Sequence, residues 1–305
     1  MEKNNNMQGH LFALTANIMW GLMSPIGKSA LQDFSPIAVT TFRMVGAAAA
    51  FWLLSLFCKQ EHVHHKDMLR IAFASLFALV FNQGVFIFGL SLTSPIDASI
   101  VTTTLPIVTM IVAAIYLKEP ITNKKVLGIF VGALGALILI ITSQTASNGN
   151  GSILGDLLCL VAQISFSIYL TVFKGLSQQY SAVTINKWMF IYASICYIPF
   201  SSYDIASIQW ETIPMISILE VLYVVLGGSF LAYLCIMTAQ KILRPTVVSM
   251  YNYMQPIVAT IAAIIMGMGN FGWQKGIAIA LVFLGVYIVT KSKSRADFEK
   301  AGKDL

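Results

Sequence analysis

The sequence predicts an all-α polytopic membrane protein: ten transmembrane helices in two inverted five-helix repeats, with both termini cytoplasmic. Three observations carry that prediction: an apolar composition, a one-sided distribution of basic loop residues, and an internal repeat. The 305 residues are 57% hydrophobic and only 10% charged, with a mean hydropathy of +0.77. An ordinary soluble domain carries roughly 25% charged residues. The shortfall excludes a disordered chain, a coiled coil and a nucleic-acid module. It nearly excludes a soluble enzyme, because too few polar residues remain to cover a core of this size. Lipid is the solvent that suits such a chain, and helices of about 20 residues are its units. The net charge of +6 then matters through its placement. Cys58, Cys159, Cys196 and Cys235 are isolated in apolar stretches with no C-x-x-C spacing. They read as small packing residues, with no zinc site or disulfide framework.

Apolar runs of spanning length fall at about 10–29, 36–57, 68–91, 95–117, 125–142, 153–173, 182–202, 214–239, 245–267 and 273–290. The first is too long for a signal-peptide core, and Asn17, Trp20 and Pro25 interrupt it. It reads as a retained helix. With the N-terminus inside, 16 of the 19 basic residues lie in inside segments; Lys28, Arg43 and Lys275 fall towards the outside. Cytoplasmic loops carry such an excess of Lys and Arg, so both ends are expected in the cytoplasm of a cell with an inner membrane.

Residues 80–143 resemble 230–293 at an offset of 150. Pro95 matches Pro245, Ser99 matches Ser249, and Pro106-Ile107-Val108 matches Pro256-Ile257-Val258. The fronts of the halves align at an offset near 146, pairing Gly9 with Gly155, Asn17 with Gln163 and Lys28 with Lys174. A small gap sets Arg43 opposite Lys187. The chain is therefore expected to divide into residues 1–145 and 150–305, joined by a polar Gly/Asn/Ser-rich connector. Five spans per half is odd, so the second half would start from the opposite side of the membrane. Inverted repeats of this kind let a carrier exchange inward-open and outward-open shapes around a midplane site.

On these residues the chain resembles the drug/metabolite transporter superfamily, in its EamA-type ten-helix branch. The resemblance is carried by Trp20-Gly21, Pro25, Lys28, Pro36 and Arg43, then by Gly89 to Pro95, Pro106-Ile107-Val108, Leu117-Lys118-Glu119 and the Gly128, Gly132, Gly135 run. It departs where Met268-Gly269-Asn270 stands for the acidic end of the ninth helix, and where Phe166-Ser167 stands opposite Trp20-Gly21. The resemblance implies a basket of helices around a cavity lined mainly by helices one, three, four, six, eight and nine. It also implies export or exchange of a small organic solute.

Polar groups within spans must find partners or water. Asn17 and Trp20 share one face of helix one, and Gln163 and Phe166 repeat that spacing in helix six. Helix three carries Asn82, Gln83 and Phe86, with Tyr233 opposite Gln83 in the second half. Thr102, Thr103 and Thr104 precede Pro106, and Asn252, Tyr253 and Gln255 precede Pro256. A proline frees the carbonyl one turn earlier and can kink the helix. The expected substrate site is thus Asn17, Trp20, Gln83, Thr103, Gln163, Phe166, Tyr233, Asn252 and Tyr253, shaped by Pro106 and Pro256. Its amides, hydroxyls and ring faces suit an uncharged or zwitterionic, partly apolar solute, such as an amino acid. Packing by interhelical hydrogen bonds would use the same residue types.

Arg43 either holds an anionic group of the solute, or snorkels to the headgroups or pairs with Asp33. Asp97, Asp156, Glu119 and Glu220 lie near expected span ends, which favours facilitated transport or exchange over proton antiport; Asp97 is the candidate proton site. His62-Val63-His64-His65 sits in an expected loop without a second ligand cluster and reads as solvated. No nucleotide, cofactor or hydrolase motif is present. The expected partners are a small metabolite and the bilayer, with no nucleic acid. The rival readings are a proton-coupled exporter of drugs or quaternary ammonium compounds, a polytopic membrane enzyme, and a receptor or scaffold.

Overall fold

The computed structural model describes residues 2–93, 98, 101–143, 152–265, 272–293, 295 and 297. Asp97, the connector between the halves and the Met268-Gly269-Asn270 turn lie outside the described residues. Each apolar run is mainly helical in its described part, the run at 95–117 being interrupted by a turn at Thr103-Thr104. The helices are α1 (Glu2–Ala30), α2 (Pro36–Ser55), α3 (His65–Leu92), α4 (Leu105–Tyr116), α5 (Asn123–Ser143), α6 (Ile153–Val172), α7 (Ala182–Ala206) and α8 (Met215–Ile242). They continue with α9 and α10 (Trp273–Thr290). α9 comprises Pro245–Met250 and Met254–Ile265 on either side of a 3-10 turn at Tyr251–Tyr253. A short helix, Lys174–Gln179, links α6 to α7. No strand occurs among the described residues. α2, α3, α6, α8 and α10 are long and apolar enough to cross a membrane by length and composition. Large apolar side chains lie bare on the outside, among them Phe57 at 82%, Ile153 at 78% and Ile115 at 76% exposure. Lipid tolerates that surface where water does not.

Local chemistry repeats between the halves. α2 starts on Ser35, whose hydroxyl accepts from the Ala38 N–H at 3.2 Å, and α7 starts on Ser181, which accepts from the Thr184 N–H at 3.2 Å. A short polar side chain here satisfies one of the free N–H groups of the first turn. Lys28 Nζ donates to the Leu90 and Thr93 carbonyls at 2.8 and 3.4 Å, closing the end of α3. Lys174 Nζ donates to the Leu243 carbonyl at 3.1 Å, closing the end of α8. Cations suit the exposed carbonyls of a helix C-terminus. Lys28 is therefore held within the fold at the α3 terminus.

Both third helices widen at the same register. α3 has π-helical turns over Leu76–Gly84, and α8 has them over Leu226–Leu231. Such turns leave carbonyls without their usual partner four residues on and are frequent at functional sites.

The halves pack by exchange. α5 lies along α10 and α2 along α7. α1 meets α8 and α9, while its counterpart α6 meets α3 and α4. Each contact between halves thus has its mirror. Small residues allow the close approaches. A Cβ on Gly285 would fall 2.6 Å from the Gly128 carbonyl oxygen and 2.6 Å from the Gly132 nitrogen. A Cβ on Gly89 would fall 2.8 Å from the Gly155 carbonyl oxygen. The Gly128, Gly132 and Gly135 stripe consequently packs inside the bundle, against α10 and Tyr253.

Candidate functional site

The prolines of α4 and α9 act one turn ahead of themselves. α4 begins at Leu105 with Pro106 in its first turn, after a break at Thr103-Thr104. Pro106 has no N–H to give the carbonyl of residue 102. That carbonyl instead accepts Asn252 Nδ2 at 2.8 Å. In the second half, the 3-10 turn Tyr251–Tyr253 precedes Pro256 in the same way. Each proline therefore breaks its helix at the edge of a shared polar space.

A cavity of about 50 Å³ opens there. Trp20, Gly21 and Met23 line it from α1, Asn82, Gln83 and Phe86 from α3, and Gln163 and Phe166 from α6. Thr102, Asn252 and Gln255 complete it. At roughly 10–15 Å³ for one water, it holds a few waters and no metabolite. Anything larger than a few waters would enter only if the walls parted.

Five of the sequence-derived candidates share this wall: Trp20, Gln83, Gln163, Phe166 and Asn252. Trp20 meets Phe166 edge-to-face at 5.6 Å and Tyr233 at 5.7 Å, and its Nε1 donates to the Gly228 carbonyl at 2.9 Å. Gln163 is 5% exposed and has no hydrogen bond among the described residues. Its amide is not among the sealed polar atoms that lack a partner, so it opens onto the cavity, where a water or a ligand could pair it.

The other candidates stand behind the wall. Asn17 Nδ2 donates to the Ala13 carbonyl at 2.8 Å, while its oxygen accepts from Gln255 Nε2 at 3.1 Å. Tyr233 donates to the Ala78 carbonyl at 2.7 Å, within the π turns of α3. Ala78 and Gly228 occupy the same place in the two halves, so Tyr233 and Trp20 satisfy equivalent loosened carbonyls. Tyr253 donates to the Ile129 carbonyl at 3.3 Å, towards α5. Thr103 is buried beside the break before Pro106 and is outside the lining. Met23 lines the cavity without any signal in the sequence; an apolar residue on an apolar helix carries none.

Arg43 is fully buried and reaches both π segments. Its Nε donates to Ser229 Oγ at 2.9 Å and its Nη2 to Gln83 Oε1. Gln83 Nε2 donates to Asn82 Oδ1 at 2.6 Å, and Asn82 Nδ2 to the Ala162 carbonyl at 2.9 Å. Arg43 Nη1 has no partner among the described residues. Neither snorkelling nor pairing with Asp33 describes it: its exposure is 0%, and Asp33 instead accepts from Ser217 Oγ at 2.5 Å. Lys187, its counterpart, lies 4.7 Å over the Trp52 ring.

A second space of about 480 Å³ lies at one end of the bundle, lined by His10, Glu119, Arg244 and Arg295 among others. Glu119 pairs with Lys125 at 2.9 Å and accepts from Thr246 Oγ1 at 3.3 Å, tying the first half to the start of α9. Among the described residues no three His, Cys, Asp or Glu converge on a metal-sized site.

The model of the EamA-like transporter family matches residues 7–141 and again 153–291. The chain belongs to the EamA-like transporter family. It is 26% identical over 283 residues to an uncharacterized transporter of Archaeoglobus fulgidus, covering 93% of this chain and 98% of that one. It is 21% identical to the uncharacterized transporter YetK of Bacillus subtilis, covering 92% and 86%. It is 24% identical to the WAT1-related protein At5g13670 of Arabidopsis thaliana, covering 91% and 82%. A crystal structure of a protein 16% identical superposes with a TM-score of 0.75 over 92% of this chain and 96% of that one, which shows a shared fold. The EamA-like chain is therefore a multi-pass membrane protein and a transporter rather than an enzyme.

Proposed function

We propose that this EamA-like protein moves a small, partly apolar organic metabolite across an inner membrane by alternating access, as an exporter or exchanger. The carrying observation is the cavity at the meeting of α1, α3, α6 and α9, walled by matching residues of the two halves and holding the idle amide of Gln163. Ten spans in two inverted five-helix repeats, residues 1–145 and 150–305, with both termini in the cytoplasm, fit the mirrored helix contacts and the one-sided basic loops. Trp20, Gln83, Gln163, Phe166 and Asn252 contact the solute in this reading. Asn17, Thr103, Tyr233 and Tyr253 hold the wall in place, and Pro106 and Pro256 shape its edges. Ring faces bind the apolar part and amides the polar end, as in an amino acid or a similar amphiphile.

The test is counterflow in proteoliposomes loaded with a metabolite mixture, read by mass spectrometry with and without a pH gradient. Selective exchange of one or a few solutes, unchanged by the gradient, is expected. Gradient-driven accumulation would replace exchange with proton coupling and turn attention to Asp97. Folded protein with no exchange over a broad panel would refute the reading.

A further inference from the structure

Arg43 carries a full charge in the interior with nothing of opposite sign beside it among the described residues. Its two hydrogen bonds go to neutral oxygens, of Ser229 and Gln83, and Nη1 is left over. The ion pairs Arg70–Asp67 and Lys125–Glu119 do not involve it. A buried charge usually has a counter-charge, because leaving water is costly. The guanidinium is hydrogen-bonded to Gln83, which is part of the cavity wall. The described side chains that line the cavity are all uncharged. The Arg43 field therefore enters the cavity uncancelled, through a low-dielectric wall that salt does not screen. Arg43 takes the Gln83 oxygen while Gln83 Nε2 donates to Asn82 Oδ1, so the charge is relayed along two residues of the cavity wall.

We infer that Arg43 charges the cavity from behind its wall and makes the carrier select neutral and anionic solutes over cations. This rests on the reading of the cavity as the substrate site. Arg43 is then a specificity-determining residue that need not touch the solute. The ring faces of Trp20 and Phe166 would attract a cation. Those two rings are already packed edge-to-face on each other, whereas the charge of Arg43 is permanent.

The experiment measures the sign of the cavity without knowing the solute. Gln163→Cys is made in the full chain with Cys58, Cys159, Cys196 and Cys235 replaced by Ala, and the protein is placed in nanodiscs. Reaction rates are measured with an anionic sulfonatoethyl methanethiosulfonate and a cationic trimethylammonioethyl methanethiosulfonate, each normalised to its rate with mercaptoethanol. The expected anion-to-cation ratio is above about tenfold, the factor a nearby unscreened charge produces. Arg43→Gln should bring it towards one, and Arg43→Lys should keep it high. A normalised ratio at or below one with Arg43 in place overturns the inference while leaving the cavity reading intact. A folded protein whose introduced thiol reacts with neither reagent overturns the cavity reading itself. Should Arg43→Gln not fold, the ratios for the unchanged Arg43 and for Arg43→Lys still decide.

Discussion

Gly285→Ala tests the packing that joins the two halves. A Cβ at this position would sit 2.6 Å from the Gly128 oxygen, 2.6 Å from the Gly132 nitrogen and 2.7 Å from the Gly132 Cα, all backbone atoms. Ordinary Cβ contacts begin at 3.4 Å, so the shortfall is 0.8 Å, and no rotamer change relieves it. α5 and α10 must separate along their contact. Overpacking of this kind costs about 1–3 kcal/mol. Ala also gains roughly 0.5–1 kcal/mol over Gly inside a helix, which offsets part of the cost. Gly27→Ala is the matched control: it lies inside α1 with nothing within 4 Å of a Cβ, and gains the helix term alone. The difference between the two variants therefore reads the steric term. With an unfolding entropy of about 2.1 cal/mol/K per residue, 1–3 kcal/mol separates the two melting temperatures by about 2–5 °C. Thermal unfolding of purified protein in one detergent measures it. Equal melting temperatures for the two variants would refute the claim that backbone contact through Gly285 holds the halves together. Transport by folded Gly285→Ala should keep its solute preference, since α5 and α10 do not line the cavity.

Gln163→Leu should leave thermal stability unchanged or slightly raised, because it removes an unpaired amide, and should lower counterflow at least about tenfold, the scale on which losing a site's hydrogen bond acts; full transport would remove Gln163 from the site. Asn252→Ala should cost about 0.5–1.5 kcal/mol by removing its hydrogen bond to the Thr102 carbonyl. In a Pro106→Ala background, where residue 106 regains its N–H, the same change should cost less, and additive costs in the double-mutant cycle would contradict the proline account. Glu61 anchors the α2–α3 loop to the start of α7 by accepting the Ser181 N–H at 2.9 Å. Partial burial alone would raise its pKa, but the Ser181 N–H and the Thr184 and Ser181 hydroxyls outweigh it and hold the carboxyl below its usual value. A depressed folded pKa means the contact stabilises above the unfolded value and fails as pH falls through the folded one. Protection of residues 58–64 against hydrogen exchange, corrected for the intrinsic rate at each pH, should therefore fall as the pH drops below the ordinary glutamate range, and Glu61→Gln should show lower protection already at neutral pH.

The membrane environment and the repeat were both written in the chain. Composition and run length carry the first, because a bilayer demands about 20 apolar residues per span whatever their neighbours. Proline spacing carries the second, because Pro95 with Pro106 and Pro245 with Pro256 recur at one offset. Backbone punctuation of that kind acts locally, and the helix breaks fall where it places them. The paired amides and aromatics on α1 and α6 marked Trp20, Gln163 and Phe166 of the cavity wall for the same reason: side chains three apart share a helix face.

Tertiary structure decided which of those polar residues meet the cavity and which brace it. Asn17, Tyr233 and Tyr253 have the composition of site residues, yet each gives its hydrogen bond to a backbone carbonyl. Rotation of a helix by part of a turn separates the two roles, and helix packing, not periodicity alone, sets that rotation. The π turns in α3 and α8 were equally invisible: Asn82-Gln83-Gly84 and Gly227-Gly228-Ser229 mark polar or flexible positions within Leu76–Gly84 and Leu226–Leu231, but those residue types do not specify a widened helix. Arg43 shows the limit most plainly. Its residue type announces a charge in the span, but only the packing of α2 against α3 and α8 surrounds it with neutral partners, so that the fold turns an expensive residue into a candidate source of charge selectivity.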